Sequence, residues 1–243
     1  MINKALVKKR FSKSLKTYED NAVIQKIMAK KLIELLVLKE YNSIFEIGCA
    51  TGILTKEIKK NLTFKEYIAN DIVEKSQEYI NKIIYPNIFL GGDIEEVELN
   101  KKYNLIISNA SLQWCNDIEK VLEKLINSLE ENGTLAISIF GDNNLKEIKD
   151  IFHLENNTYS LNKLKKSLSK YKLITFEEEE IKIEFENPIM VLKHLKLTGV
   201  NAIKEVVLSK KKLQEFEEEY TKKYQNNGKV ILTYNPVYIQ IAR

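Results

Sequence analysis

From residue 43 onward the chain alternates short apolar runs with helix-periodic stretches, and that rhythm leaves few folds open. Strands are expected at 43–48, 66–72, 87–93, 103–109 and 134–140, with helices at 51–60, 74–84 and 117–130 between them. The strands are mostly apolar rather than apolar at every second position, as strands covered on both faces must be. Such strands, joined by helices, form a parallel sheet. An amphipathic helix is expected ahead of them at 21–38, with Ala22, Ile27 and Leu35 among its apolar positions. The last third breaks the rhythm. Residues 172–185 read as one long strand, helical segments follow, and 230–242 read as a final strand interrupted at Pro236. A hairpin-like antiparallel edge explains that ending, with the intervening helices above the carboxyl ends of the sheet.

The expectation is an α/β fold: a Rossmann-like, seven-stranded, mostly parallel sheet with an antiparallel edge strand and a helical cover. A length of 243 residues suits one such domain over 1–243. With 44% hydrophobic and 30% charged residues the composition is globular. No apolar run approaches the roughly 18 to 20 residues of a membrane span. The basic stretch from Met1 to Arg10 is followed by no apolar segment of a signal peptide. A cytoplasmic protein is expected. Cys49 and Cys115 are too few for a disulfide framework, and His153 and His194 have no partners at ligand spacing, so no metal site is expected. The net charge of +4 is almost all lysine, arginine occurring only at Arg10 and Arg243. That is a solvated surface and gives no reason to expect nucleic acid.

Open α/β sheets bind ligands beyond the carboxyl ends of their strands. The first strand ends in Glu46-Ile47-Gly48-Cys49-Ala50-Thr51-Gly52, where glycines let backbone approach a ligand and the next helix offers free N–H groups. The second ends at Asp71-Ile72, and an acidic side chain there accepts hydrogen bonds from both ribose hydroxyls of a nucleoside. The third ends at Gly92-Asp93-Ile94, where Asp93 is placed to accept from an adenine amino group while Ile94 covers the ring. Either aspartate alone reads as a turn or cap residue. Together, after a glycine loop, they point to an adenine nucleoside.

With these motifs in this order, 43–140 resembles the class I methyltransferases that use S-adenosylmethionine (SAM). The family's middle glycine of the loop is Ala50 here. The resemblance implies that Glu46 helps to orient the methionine part of SAM, and it disfavours NAD, for which a G-x-G-x-x-G loop is missing.

Three further features resemble a narrower group, the malonyl-acyl carrier protein O-methyltransferases of biotin synthesis. Phe11, Tyr18, Ala22 and Gln25 match its N-terminal pattern, and the last three, at i, i+4 and i+7, share one face of a helix. The resemblance makes 1–38 an N-terminal helical lid with Tyr18 and Gln25 at the cofactor. Ser108-Asn109-Ala110-Ser111-Leu112-Gln113-Trp114 matches a Ser-Asn and a Gln-Trp pair, which implies Asn109 and Ala110 beside the amino acid part of SAM and Gln113-Trp114 beside the acceptor. The runs 195–201 and 233–238 are also similar to that group, the first belonging to a helical acceptor-side cover over 186–228. Asn235-Pro236-Val237-Tyr238 is similar to a tetrad of base-methylating enzymes, yet theirs follows the fourth strand and this one does not.

The resemblance implies methyl transfer from SAM to the free carboxylate of a malonyl thioester on acyl carrier protein, by a chain acting as a monomer without nucleic acid or membrane. Such a carboxylate is ionised at neutral pH and needs no general base. It does need a clamp. A lysine, His194, Thr198, Asn201 or Arg10 are the candidates, with Tyr18 and His194 the catalytic ones. Lys8, Lys9, Arg10, Lys13 and Lys16 are candidates for a basic rim facing the acidic carrier. The alternatives are O-methylation of a free small dicarboxylic acid and a SAM-binding module without catalysis.

Overall fold

The computed structural model describes residues 2–154, 159–198 and 209–243. In chain order its helices are α1 (Lys4–Asn21), α2 (Val23–Leu35), α3 (Ile53–Asn61), α4 (Ser76–Ile80), α5 (Ile118–Asn127), α6 (Lys146–Ile151), α7 (Leu161–Leu168), α8 (Pro188–Leu197) and α9 (Lys210–Tyr224). Its strands are β1 (Glu40–Ile47), β2 (Thr63–Asp71), β3 (Ile88–Gly91), β4 (Tyr103–Asn109), β5 (Leu129–Phe140), β6 (Lys172–Glu178), β7 (Ile181–Phe185), β8 (Gln225–Asn226), β9 (Lys229–Tyr234) and β10 (Pro236–Ala242). No described helix is long and apolar enough to cross a membrane.

Seven strands form the main sheet in the order β3-β2-β1-β4-β5-β10-β6. The first five are parallel, and β10 runs antiparallel between β5 and β6. This is the expected Rossmann-like sheet with its antiparallel pair at one edge, the reversed strand being second from that edge. Side chains alternate between two cores, as strands covered on both faces require. Ile44, Leu105, Ile107, Ala136 and Tyr238 enter one core with α2 and α3. Phe45, Ile106, Leu135, Ile137 and Ile239 enter the other with α5 and α7.

Register decides where a site can form. Ile47 pairs with Asn70 on one side and Ser108 on the other, and Asp71 pairs with Gly91. Four strands therefore finish level, and the residues after them emerge along one edge. The chain winds outward in both directions from between β1 and β4, which puts the switch point at that edge.

The long strand expected over 172–185 is divided, and the final strand is interrupted at Pro236 as its sequence suggests. Residues 172–185 split into β6 and β7, and 230–242 split into β9 and β10; β7, β9 and β8 leave the main sheet for a small antiparallel one. Asn235 makes the break. Its Nδ2 donates to the Glu179 carbonyl at 2.7 Å, its Oδ1 accepts the Asn143 N–H at 3.1 Å, and its own carbonyl accepts the Gly141 N–H. Pro236, with no N–H to donate, then starts β10, a place strands tolerate. The Asn-Pro-x-Tyr run is thus a structural corner.

The N-terminal segment also differs from expectation. One continuous helix would carry Tyr18, Ala22 and Gln25 on a single face, but the helix breaks at Ala22, whose ψ of 52° is not helical. The Asn21 amide donates to the Thr17 carbonyl and the Ala22 N–H to the Tyr18 carbonyl, closing the last turn of α1 before α2 begins. Tyr18, Ala22 and Gln25 are all buried regardless.

Replacing Asn235 by Ala orphans two backbone groups at the corner and is expected to cost about 1–3 kcal/mol in urea unfolding. A loss below about 0.5 kcal/mol would remove the corner from the account.

Candidate active site

A cleft of about 710 Å³, counting its open mouth, lies where β1 to β4 end. The sequence-predicted residues Tyr18, Gly48, Ala50, Asp71, Ile72, Asp93, Ile94, Asn109 and Ala110 all line it. Gln25, Glu46 and Gly52 do not. They stand behind its wall.

The loop after β1 turns through left-handed backbone at Gly48 (φ +71°), Ala50 (φ +44°) and Gly52 (φ +87°). Ala50 thus occupies a conformation that glycine takes freely and an L-residue takes at a cost of about 1 kcal/mol. What holds it is Asp71. The carboxylate accepts the Ala50 N–H through Oδ2 at 2.8 Å and the Val73 N–H through Oδ1 at 2.7 Å. Burial pushes Asp71 up to about 6, and the two N–H donors oppose that rise without cancelling it.

Glu46 lies under this loop. Its Oε2 accepts from Thr55 Oγ1 at 2.9 Å and from the Tyr67 hydroxyl, while its Oε1 is buried without a hydrogen-bond partner. Burial lifts its carboxyl to about 7 against the pull of Tyr67 and Thr55, and the neighbouring Asp71 charge adds to the rise. Two carboxyls that resist ionising thus sit close together here, Asp71 lining the cleft and Glu46 buried behind it.

Asn109 is a tie. Its Nδ2 donates to the Gln25 carbonyl at 2.9 Å and its Oδ1 accepts from Ser138 Oγ at 2.6 Å, which joins α2 to β4 and β5. Ala110 follows at φ +50° with its N–H on the Ser138 carbonyl. Trp114 also lines the cleft, its ring edge-on to Phe11 at 5.7 Å, and Phe11 is edge-on to Tyr18 at 6.3 Å. Gln113 turns away, its amide donating to the Ala110 carbonyl. Asp93 is engaged by Lys4, whose ammonium lies 2.9 Å from Oδ2.

Helix α1 forms one wall. Lys4, Val7, Phe11, Leu15 and Tyr18 recur every three or four residues and all line the cleft. Sequence reasoning placed Tyr18 there, named Phe11 only as part of the N-terminal pattern, and missed Lys4, Val7 and Leu15. Their helical spacing, beginning after Asn3 as the N-cap, was the available signal. Burial, then the charge of Asp71, drives the Tyr18 phenol well above its ordinary value. It keeps its proton near neutrality.

The clamp candidates fare differently. His194, taken as catalytic from the sequence, does not line the cleft. Its Nε2 lies 2.8 Å from the Tyr234 hydroxyl and its ring packs by Phe185, and burial lowers its pKa. The reason is the break after β7, which folds α8 back over the small sheet and points His194 at β9. Thr198 is closed on its own helix, donating to the His194 carbonyl. Arg10 sits half-buried on α1 outside the lining, and Asn201 lies outside the described residues.

Two outcomes are expected from these groups. Ala50→Gly relieves left-handed strain and is expected to leave stability unchanged or raise it by up to about 1 kcal/mol, read by urea unfolding; a clear loss would contradict the strain argument. Glu46 and Asp71 take up protons on folding, so stability falls as pH climbs from their ordinary carboxylate values through about 7 and 6. Glu46→Gln is expected to flatten the decline of Tm across that window, and an unchanged slope would show that Glu46 ionises normally.

A family model described as a methyltransferase domain matches residues 22–173. The malonyl-[acyl-carrier protein] O-methyltransferase of Calditerrivibrio nitroreducens is 37% identical, the match spanning 97% of this chain and 96% of that protein. The protein of the same name from Chlorobium luteolum is 32% identical, over 98% of this chain and 95% of its own. Among solved structures, the N-methyltransferase NodS of Bradyrhizobium japonicum in complex with S-adenosylhomocysteine superposes with a TM-score of 0.51 at 12% identity, covering 88% of this chain and 85% of NodS. The plantazolicin methyltransferase BpumL, also in complex with S-adenosylhomocysteine, gives 0.52 at 17% identity over 97% of this chain and 94% of its own. The level strand ends, the glycine loop and the full-length likeness agree, and the chain belongs to the methyltransferase-domain family, with the malonyl-[acyl-carrier protein] O-methyltransferases as its relatives.

Proposed function

We propose that this protein transfers a methyl group from SAM to the free carboxylate of a malonyl thioester on acyl carrier protein, the chemistry named for its full-length relatives and an early step of biotin synthesis. The observation that carries the proposal is the convergence of Asp71 and Asp93 in one cleft, beside the loop that Asp71 holds. The donor set fits the cofactor. Asp71 has lone pairs left for two ribose hydroxyls, Asp93 and Ile94 suit the adenine, and Gly48 to Gly52 with Asn109 and Ala110 suit the amino acid end. When bound, SAM supplies a methyl group carried on a positively charged sulfur. Glu46 and Gln25 act from behind the wall, Glu46 by joining α3 to β2 through Thr55 and Tyr67, and Gln25 by holding Asn109 through its carbonyl.

The protein's work is alignment and exclusion of water. Near-attack placement at about 3–3.5 Å supplies several kcal/mol of barrier reduction. A malonyl carboxylate is already ionised at neutral pH, so no base is required. That agrees with a cleft whose phenol keeps its proton and whose nearest histidine faces elsewhere. Val7, Phe11, Leu15 and Trp114 line the cleft with apolar surface, and a dry site favours an anion and a cation that neutralise each other as they react. In this reading α1 and α2 are a lid within a single domain, with 186–228 as the acceptor-side cover.

The carrier side falls on the outer face of α1. Lys9, Lys13 and Lys16 are exposed there at helical spacing, and among the described residues no carboxylate pairs with them. An acidic carrier suits that face. The test is mass spectrometry of malonyl-carrier protein incubated with the enzyme and SAM in the cytosolic pH range. The carrier is expected to gain one methyl ester, more slowly as salt is added. No ester on the carrier, or equal rates on a free malonyl thioester, would overturn the proposal.

A further inference from the structure

The two ends of α1 are fastened in different ways. Its C-terminal half is held by burial: Leu15 and Tyr18 are buried, Thr17 Oγ1 donates to the Leu197 carbonyl, and the helix stops at Ala22. Its N-terminal half buries Val7 and is held besides by polar ties. The Ile2 N–H donates to Asn116 Oδ1 at 2.7 Å, Lys8 meets Glu74 at 3.3 Å, and Lys4 reaches both Asp93 and Glu95. The Lys8 pair is open to solvent, with side chains 46% and 78% exposed, and contributes little. Lys4 is 24% exposed, and its partners 14% and 19%.

Glu95 is itself held. Its carboxylate accepts the N–H groups of Asn116 at 3.0 Å and Asp117 at 3.0 Å. Asp93 Oδ1 takes Lys4 at 3.1 Å and the Glu95 N–H at 3.1 Å. Lys4 therefore stands between two carboxylates of unequal duty. Asp93 lines the cleft beside Ile94, and Glu95 anchors the loop behind it.

We propose that Lys4 is the latch of the cofactor cleft: its ammonium fastens the N-terminal end of α1 across the adenosine end through Asp93 and Glu95 and so sets how long the cofactor stays. This rests on the reading of the cleft as a SAM site. A purine amino group that donates to Asp93 has to share that carboxylate with Lys4. Glu95 makes sharing possible, because the ammonium keeps a second anion when Asp93 turns toward the purine. Lys4 touches no reacting atom. It is a positioning residue, acting through Asp93 and through the placement of Val7 and Phe11, which ride on the same helix.

The test is the dissociation rate of S-adenosylhomocysteine from the full chain, by stopped-flow displacement, for Lys4→Met, Lys4→Arg, Glu95→Gln and the Lys4→Met/Glu95→Gln double variant. Lys4→Met is expected to release the nucleoside about fivefold faster, the equivalent of about 1 kcal/mol. Lys4→Arg is expected to stay within about twofold of the parent, and Glu95→Gln to add little once Lys4 is gone. Added salt is expected to quicken release from the parent and not from Lys4→Met. A parent-like rate for Lys4→Met, or full additivity in the double variant, overturns the latch. Asp71→Ala serves as the separate control. Its affinity for the same nucleoside is expected to fall by about fivefold or more, as for lost hydrogen bonds to a charged group. Unchanged affinity there would sink the cofactor reading itself, whereas a loss there with a parent-like Lys4→Met sinks only the latch.

Discussion

One hydrogen bond organises the working end of this molecule: the Asp71 carboxylate accepting the Ala50 N–H at 2.8 Å. It joins the end of β2 to the loop after β1 and fixes a left-handed turn that alanine would otherwise leave. The second oxygen of Asp71 holds the Val73 N–H, so the turn after β2 is set by the same group. A buried carboxylate is expensive unless donors surround it. These donors are backbone groups that the parallel register delivers to one level. Sheet and site are thus parts of a single arrangement, in which Glu46, Thr55 and Tyr67 are bonded together behind the cleft and Asn109 ties the far side to α2.

Much of the central sheet could be read in the sequence because strands covered on both faces carry a strong apolar signal, and β4 was placed to the residue. The loop residues followed, since Gly48, Gly52 and the aspartates sit where strands end, and strand ends were legible. The N-terminal helices were less so. Local hydrogen bonding by Asn21 broke a helix whose apolar pattern ran on without interruption, and Lys4 reads as one lysine among many until its two carboxylates are folded beside it. The division of 172–185, and the change of sheet that goes with both breaks, were hidden for a similar reason, although Pro236 marked the second break. Asn235 reads as a turn residue, and only tertiary contacts with Glu179, Asn143 and Gly141 show that it sends two strands into a second sheet. His194 faces Tyr234 and not the cleft, because helical position says nothing about which way a helix is turned once the chain has changed sheets.

The same layout explains how an enzyme of this family works with so few ionisable side chains at its centre. The cleft joins a polar end, built from Asp71 and Asp93, to an apolar stretch built from Val7, Phe11, Leu15 and Trp114. Under the proposed function, the polar groups position a nucleoside and the apolar ones exclude water from a reaction between opposite charges. Acid–base machinery has no task when the acceptor arrives ionised. Selectivity then falls to the helices over the strand ends, and α1 has one face on the cleft and a lysine-rich face toward solvent.

The claim on which the rest depends is that Asp71 and Asp93 grip one adenosine. A crystal structure of the full chain with S-adenosylhomocysteine tests it most directly. The account predicts ribose hydroxyls on the Asp71 carboxylate and the purine against Ile94 with its amino group at Asp93. A nucleoside bound away from Asp71, or one lying in the cleft with its purine at the Asn109 end, would contradict it.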